Sequence, residues 1–114
     1  MVELILRKVN SLTKKYEYTP LHLAASHGHT STVKLLLSKG ALVDARGLNS
    51  HYTPLHFAAG NGHNSTVKLL LSRGASIEAM DVGGKTPLYH ATRGGYPDIV
   101  RLVGGGAVVD APRP

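Results

Sequence analysis

The sequence contains no cysteine and no tryptophan, and it has a single phenylalanine among 114 residues. Without cysteine, neither disulfide bonds nor thiolate metal sites can form. Because large aromatic residues are scarce, alanine and leucine must supply most of the buried surface. No apolar run approaches the roughly 20 residues that a membrane-spanning helix needs, and residues 2–6 are too few for the apolar segment of a secretory signal. The sequence therefore predicts an intracellular protein, cytoplasmic or nuclear, without a membrane span.

Acidic residues are also few. Thirteen Lys and Arg against seven Asp and Glu give a formal net charge of +6, which raises the question of nucleic-acid binding. The alternative is that the basic residues form solvated helix faces that keep the protein in solution. Lys34 and Lys68, like Lys39 and Arg73, fall at equivalent positions of the repeat described next. We favour the second interpretation.

One segment of the sequence occurs twice with few changes and a third time more loosely. It begins at Thr19, Thr53 and Thr86, so the starts lie 34 and 33 residues apart. A period of this length is typical of stacked repeat proteins, in which each unit buries its apolar face against its neighbours. The three copies are TPLHLAASHGH, TPLHFAAGNGH and TPLYHATRGGY.

Each unit is predicted to contain two helices. The Thr-Pro pair supplies an N-cap and a first helical residue with preset φ, and Gly28, Gly62 and Gly95 end a helix of about two turns. A second helix follows, with apolar residues at intervals of three and four around 33–37, 67–71 and 99–103. It closes at a glycine in each unit, namely Gly40, Gly74 and Gly104. Segments 41–52 and 75–85 lack helical periodicity and are predicted to be turns.

This order of helix, turn, helix and projecting turn, with T-P-L-H and G-H at these offsets, resembles the ankyrin repeat family. The L-L-L-x-x-G-A sequence of that family is present at 35–41 and 69–75. The resemblance implies an all-α solenoid of stacked helix-turn-helix units with projecting β-turn or hairpin loops, whose short first helices line a concave groove. The predicted segments form one domain: a half repeat 1–18, repeats 19–52 and 53–85, and a shortened repeat 86–114.

Two departures from the family pattern fall in the turns. The first interval is one residue longer than the second, and the extra residue lies between Gly40 and Thr53. A turn accommodates an insertion at low cost, so segment 46–49 is predicted to bulge. Glu17 and His51 stand where the resemblance implies a turn glycine, which leaves the geometry of both turns open.

Seven histidines raise the question of metal binding or catalysis. The resemblance implies that His22 and His56, within T-P-L-H, tie the turn to the helix start, and that His29 and His63 satisfy loop backbone groups. A zinc site would need three or four convergent ligands, but His27 and His29 have no acidic residue nearby in sequence. No serine lies on a strand-turn-helix elbow. We therefore predict no catalytic residue, no metal site and no cofactor.

The resemblance implies a binding surface made of the turn residues before each threonine and the residues before the G-H glycine. Tyrosine offers a large contact area with few rotatable bonds, although Tyr18 and Tyr52 could instead only shield the adjacent turn. An arginine can anchor a carboxylate. The predicted partner-binding residues are Lys15, Tyr16, Tyr18, Ser26, His27, Asn49, Ser50, Tyr52, Asn61, Val82, Lys85 and Arg93.

The sequence thus predicts a monomeric, non-catalytic module that binds another protein through the groove and the turn tips. Because Lys15, Lys85 and Arg93 make that face basic, we expect an acidic patch on the partner. One alternative is an electrostatic binder of nucleic acid or another anionic surface, which would use Lys14, Lys15 and the basic residues of the second helices. Another is a piece of a longer array without a partner of its own.

Overall fold

The computed structural model describes residues 17–104, which form six helices and no strand. The helices are α1 (Pro20–Ser26), α2 (Thr30–Ser38), α3 (Pro54–Gly60), α4 (Asn64–Ser72), α5 (Pro87–Gly94) and α6 (Pro97–Gly104). None of them combines the length and the apolar character that crossing a membrane requires. The all-α prediction is confirmed for this part of the chain. The predicted half repeat lies outside the described residues except for its last two positions.

The helices form two layers. The short helices α1, α3 and α5 contact one another in chain order and form the inner layer, and α2, α4 and α6 form the outer layer in the same way. The core lies between the layers, where Leu55 and Val67 are fully buried. Ala25, Ala59 and Ala91 are buried as well, and their small side chains let neighbouring inner helices approach closely.

The T-P-L-H segments begin α1 and α3 as predicted. The Thr19 hydroxyl accepts a hydrogen bond from the His22 N–H at 3.3 Å, and His22 Nδ1 accepts one from the Thr19 N–H at 3.0 Å. Thr53 and His56 form the same pair of hydrogen bonds, at 3.3 and 3.1 Å. Each pair satisfies two amide groups at the helix start, in the manner of a capping box.

The second ring nitrogen of each histidine binds the last turn residue before the next unit. His22 Nε2 donates to the carbonyl oxygen of Tyr52 at 2.8 Å, and His56 Nε2 donates to that of Lys85 at 2.9 Å. Both imidazoles are buried. The predicted structural role of these histidines is confirmed. It also includes a hydrogen bond to the residue just before the next Thr-Pro pair, which we call the histidine link.

Helix α5 begins without this arrangement. Thr86 has the extended backbone of an N-cap, but its side chain accepts no hydrogen bond within the described chain. Tyr89 stands at the position of His22 and His56, and its N–H donates to the main-chain oxygen of Thr86 at 3.0 Å. Thr86 is therefore the N-cap residue as predicted, but its hydroxyl makes no capping hydrogen bond, because the main chain already satisfies the amide that the hydroxyl would bind.

The glycines that follow α1 and α3 are required for two reasons. Gly28 and Gly62 have φ of +71° and +81°, in the left-handed region that favours glycine. A Cβ atom at Gly28 would also lie 2.4 Å from the His63 ring, and one at Gly62 would lie 2.6 Å from the Tyr96 ring. His63 Nε2 donates to the Ser26 carbonyl oxygen at 2.9 Å, which confirms the predicted role of this histidine.

Glu17 and His51 adopt a backbone conformation that favours glycine, with φ of +60° and +61°. The Glu17 carboxylate compensates by accepting hydrogen bonds from the N–H groups of Asn49 and Ser50 in the next turn. These hydrogen bonds lower the pKa of Glu17 from its ordinary value. The His51 imidazole forms no hydrogen bond to another described residue.

The extra residue of the first interval lies in the turn, as predicted. The Gly47 N–H donates to the Tyr52 carbonyl oxygen at 3.0 Å, whereas the shorter second turn is closed by the Asp81 N–H and the Lys85 carbonyl oxygen at 2.9 Å. Leu48 is exposed at the tip of the longer turn.

The pH dependence of stability should reflect the histidine links. Burial lowers the pKa of His22 and of His56 from the ordinary value of 6.5. Above that value both imidazoles are neutral in the folded and the unfolded chain. Below it the unfolded chain takes up protons that the folded chain does not, so the free energy of unfolding decreases as the pH falls. Thermal unfolding should shift to lower temperature from about pH 7 to about pH 5, and NMR should show both imidazoles titrating below their ordinary value.

The exposed residues His27 and His29 provide a matched control for this prediction. A His27→Asn/His29→Asn variant loses two imidazoles without disturbing either histidine link, so its stability should keep the same pH dependence. NMR titrations that place the pKa of His22 and His56 at or above the ordinary value would contradict the account.

Replacing His51 by glycine should relieve strain in the first turn. The left-handed conformation costs a residue with a Cβ atom roughly 1–2 kcal/mol, more than the roughly 0.5–1 kcal/mol entropic cost of glycine. We expect His51→Gly to be more stable in urea unfolding than His51→Ala by about 0.5–1 kcal/mol, since the alanine variant loses the imidazole but keeps the strain. Equal stability of the two variants would show that the turn is not strained.

Candidate partner-binding groove

An aromatic row runs along the inner face of the described chain, from the turn before α1 to α5. Tyr18 and Tyr52 pack edge-to-face against Phe57, with ring centroids 4.9 and 5.2 Å apart. Tyr52 also contacts the His90 ring at 5.5 Å, and His90 contacts Tyr89 at 5.3 Å, again edge-to-face. Such contacts hold rings in a preferred relative orientation. We call these five residues the aromatic row.

A groove of about 420 Å³ opens beside the aromatic row, between α3 and α5. Its lining comes from the turn before α3, from α3 and the residue after it, and from α5. No residue of α2 or α4 contributes. The lining residues are Tyr52, His56, Phe57, Gly60, Asn61, Tyr89, His90, Arg93 and Gly94.

A buried carboxylate fixes His90 in the wall of the groove. Asp81 Oδ2 accepts a hydrogen bond from His90 Nε2 at 2.8 Å, and Oδ1 accepts one each from the Gly83 and Lys85 N–H groups at 2.9 Å. Burial raises the pKa of Asp81, but the hydrogen bonds from His90, Lys85 and Gly83 outweigh it and hold the pKa below its ordinary value. Asp81 therefore anchors both the second turn and one ring of the aromatic row.

The cluster of His56, Asp81 and His90 raises the question of a metal site, because one potential ligand atom from each lies within 4.8 Å of the others. The hydrogen bonds argue against such a site. Nδ1 of His56 accepts from the Thr53 N–H and Nε2 donates to the Lys85 carbonyl oxygen, so neither nitrogen has a free lone pair. A metal ion here would have to break a histidine link. The cluster is a structural hydrogen-bond network, and its chemistry does not suit metal binding.

Two cations lie on either side of Tyr89. Lys85 Nζ lies over the Tyr89 ring, 4.6 Å from its centroid, and Arg93 Nη1 donates to Tyr89 Oη at 3.4 Å. The Arg93 hydrogen bond, and then the charges of Arg93 and Lys85, lower the pKa of Tyr89 from its ordinary value. Within residues 17–104, ion pairs join only His90 to Asp81 and Arg101 to Asp98. This end of the groove therefore carries positive charge that no described carboxylate neutralises.

Four of the predicted partner-binding residues lie at the groove. Tyr52, Asn61 and Arg93 line it, and Lys85 lies at its edge above Tyr89. Ser26 and His27, at the end of α1, do not line it. Lys15 and Tyr16 lie outside the described residues.

The remaining predicted residues connect one turn to the next. The Tyr18 hydroxyl donates to Ser50 Oγ at 3.2 Å, and the Ser50 carbonyl oxygen accepts from the Val82 N–H at 2.8 Å. Asn49 donates its N–H to Glu17. These contacts hold the turns in register, and for Tyr18 they agree with the alternative role of shielding the turn. The Val82 side chain is 68% exposed, so it remains accessible to a partner.

Three ring-bearing residues of the groove, Phe57, Tyr89 and His90, had no binding role predicted from the sequence. Phe57 is an apolar residue of α3 that is only half-buried and lines the groove. In the third copy Tyr89 replaces the histidine of T-P-L-H, and His90 follows it where the other copies have Leu23 and Phe57. These two differences from the other copies were the available sequence signal for the groove, because they place two rings on the inner helix that faces it.

Comparison with known proteins shows what the chain is similar to. The model of a family described as ankyrin repeats, in three copies, matches residues 1–81 and 43–111. Inversin from Danio rerio is 49% identical over 41 residues, which are 36% of this chain and 4% of that protein. Inversin from Gallus gallus is 60% identical over 35 residues, which are 31% of this chain and 3% of that protein.

The inversin alignments each span a small fraction of the relative, so they concern the repeats alone. The family match extends over nearly the whole sequence and agrees with the six helices and the T-P-L-H hydrogen bonds described above. Ankyrin repeats are generally protein–protein interaction modules and are generally non-catalytic. The chain belongs to the ankyrin repeat family.

Proposed function

We propose that this chain is a non-catalytic module that binds another protein in the groove between α3 and α5. The observation that carries the proposal is the aromatic row beside an open groove that also contains an arginine. Tyrosine and arginine are among the residue types that contribute most to protein interfaces. Tyr89 is 36% exposed, and Phe57 and Tyr52 are half-buried, so each ring keeps surface for a partner.

The groove is also preorganised. The histidine link from His22 fixes the main chain of Tyr52, and Asp81 fixes the ring of His90. A partner that binds rings already held in place loses less side-chain entropy than one that must order them. This rigidity supports binding through the groove.

Charge indicates the nature of the partner. Lys85 and Arg93 make one end of the groove positive, so we expect an acidic patch on the partner and an association that weakens as salt is added. Lys15, which belongs to the same predicted surface, lies outside the described residues. The monomeric state and the intracellular location stay predictions from the sequence.

Electrostatic binding of nucleic acid would use a different face. Lys34 and Lys68 are exposed on α2 and α4, Lys39 and Arg73 follow those helices, and none of the four lines the groove. Variants of the two faces can therefore separate the two functions.

The test compares a groove variant with a matched outer-face variant. Tyr89→Ala/Arg93→Ala removes one ring and one cation from the groove, and Lys34→Ala/Leu35→Ala removes one apolar side chain and one cation from α2. All four side chains are exposed, so circular dichroism should show that both variants fold. In affinity capture from nuclease-treated lysate, wild type and the α2 variant should retain the same protein. The groove variant should retain at least about tenfold less, as expected when a central contact is lost.

Equal retention by the groove variant would contradict the assignment of the groove. Two other results would assign the function to the basic outer face. One is loss of the captured protein only in the α2 variant, and the other is a protein that wild type retains from untreated lysate but not from nuclease-treated lysate.

A further inference from the structure

We propose that Lys85, Tyr89 and Arg93 form a carboxylate-binding subsite, and that the groove takes an acidic peptide segment of the partner. In this arrangement an Asp or Glu side chain binds the three residues, and a neighbouring large apolar side chain lies against the aromatic row. The inference rests on the proposed function and adds the chemistry of the occupant.

Two cationic side chains, those of Lys85 and Arg93, contact Tyr89 in the subsite. Lys85 Nζ lies 4.6 Å from the centroid of the Tyr89 ring, and Arg93 Nη1 makes only a long hydrogen bond, 3.4 Å, to the Tyr89 hydroxyl. The other guanidinium N–H groups of Arg93 form no hydrogen bond to a described residue. An ammonium and a guanidinium therefore both contact Tyr89, and a carboxylate, which accepts several hydrogen bonds, is the group that such donors bind most strongly.

No carboxylate of the described chain forms an ion pair with Lys85 or Arg93, including the exposed Glu78. Asp81 is only 7% exposed, and both of its oxygens already accept hydrogen bonds. Glu17 binds the Asn49 and Ser50 amides, Asp44 binds the Ser76 amide at 2.9 Å, and Asp98 pairs with Arg101. Lys85 and Arg93 therefore remain available to an anion from outside the described chain.

An apolar side chain is expected next to that anion because the aromatic wall of the groove adjoins the subsite. The groove of about 420 Å³ has Phe57, Tyr52 and His90 in its walls, and its size lies within the range of ligand-binding clefts. The rings contact one another edge-to-face, so part of their surface remains open to an occupant. A cationic end and an aromatic wall side by side call for an acidic and an apolar side chain on the same short segment.

The experiment selects peptides from a random library displayed on phage, using the full chain as bait. Dependence on the groove is tested with two variants that act in opposite ways. Phe57→Ala removes part of the wall, and Gly60→Leu fills the groove, since a Cβ atom at Gly60 would lie 3.3 Å from His90 Cβ. Circular dichroism establishes which variants are folded, and a peptide counts as groove-dependent if a folded variant fails to bind it.

Synthetic copies of the groove-dependent peptides are then measured by calorimetry against two charge-matched variants. Lys85→Gln/Arg93→Gln and Lys34→Gln/Lys68→Gln each lower the net charge by two, but only the first alters the subsite. The selected peptides should carry Asp or Glu close to Phe, Tyr, Trp or Leu. Their affinity should fall by about tenfold or more for the first variant and by less than about twofold for the second. Replacing the acidic residue of the peptide by its amide should cause the same loss, and no further loss should occur in combination with the first variant.

The possible failures separate the two proposals. Groove-dependent peptides that lack an acidic residue, or that bind Lys85→Gln/Arg93→Gln as tightly as wild type, would overturn the carboxylate subsite and leave the proposed function standing. A selection that yields no groove-dependent peptide would overturn the groove, and with it both proposals.

Discussion

The hydrogen bond from each buried T-P-L-H histidine to the last turn residue before the following unit is the contact on which the rest of the described structure depends. His22 binds the carbonyl group of Tyr52, and His56 binds that of Lys85. Each carbonyl belongs to the residue just before the next Thr-Pro pair, so one contact sets both the turn and the start of the next inner helix. Because a single unit cannot bury its own apolar face, this registration is needed for stability. It also positions Tyr52 and Lys85, whose side chains lie at the groove.

The fold could be predicted because its signals are local. A threonine followed by proline begins a helix, and a glycine nine residues later ends it, whatever the distant sequence contains; all three inner helices begin at the predicted proline. The exception at Thr86 has a local cause as well. A reciprocal cap needs a histidine three residues after the threonine, and the third copy has Tyr89 there. The turns at Glu17 and His51 keep the left-handed geometry of the family without its glycine, which sequence reasoning could not decide.

The candidate site was only partly predictable, because stacking brings together residues that are far apart in the chain. Phe57 of the second repeat contacts Tyr18, just before the first repeat, and Tyr52 at the end of the first repeat contacts His90 of the third. Position within the repeat identified the correct region but did not separate neighbours with different roles: Ser50 bonds the turns together, whereas Tyr52, two residues later, lines the groove. The pairing of Asp81 with His90 joins a turn to a helix, and neither residue type alone indicates it.

The central claim is that the groove between α3 and α5, and not the basic outer layer, receives the partner. The most direct measurement is NMR mapping of the amide signals of this chain as the captured partner is added. The account predicts that the largest shifts occur at Tyr52, Phe57, Tyr89 and Arg93. Shifts confined to Lys34, Lys39, Lys68 and Arg73, with the groove signals unchanged, would contradict it.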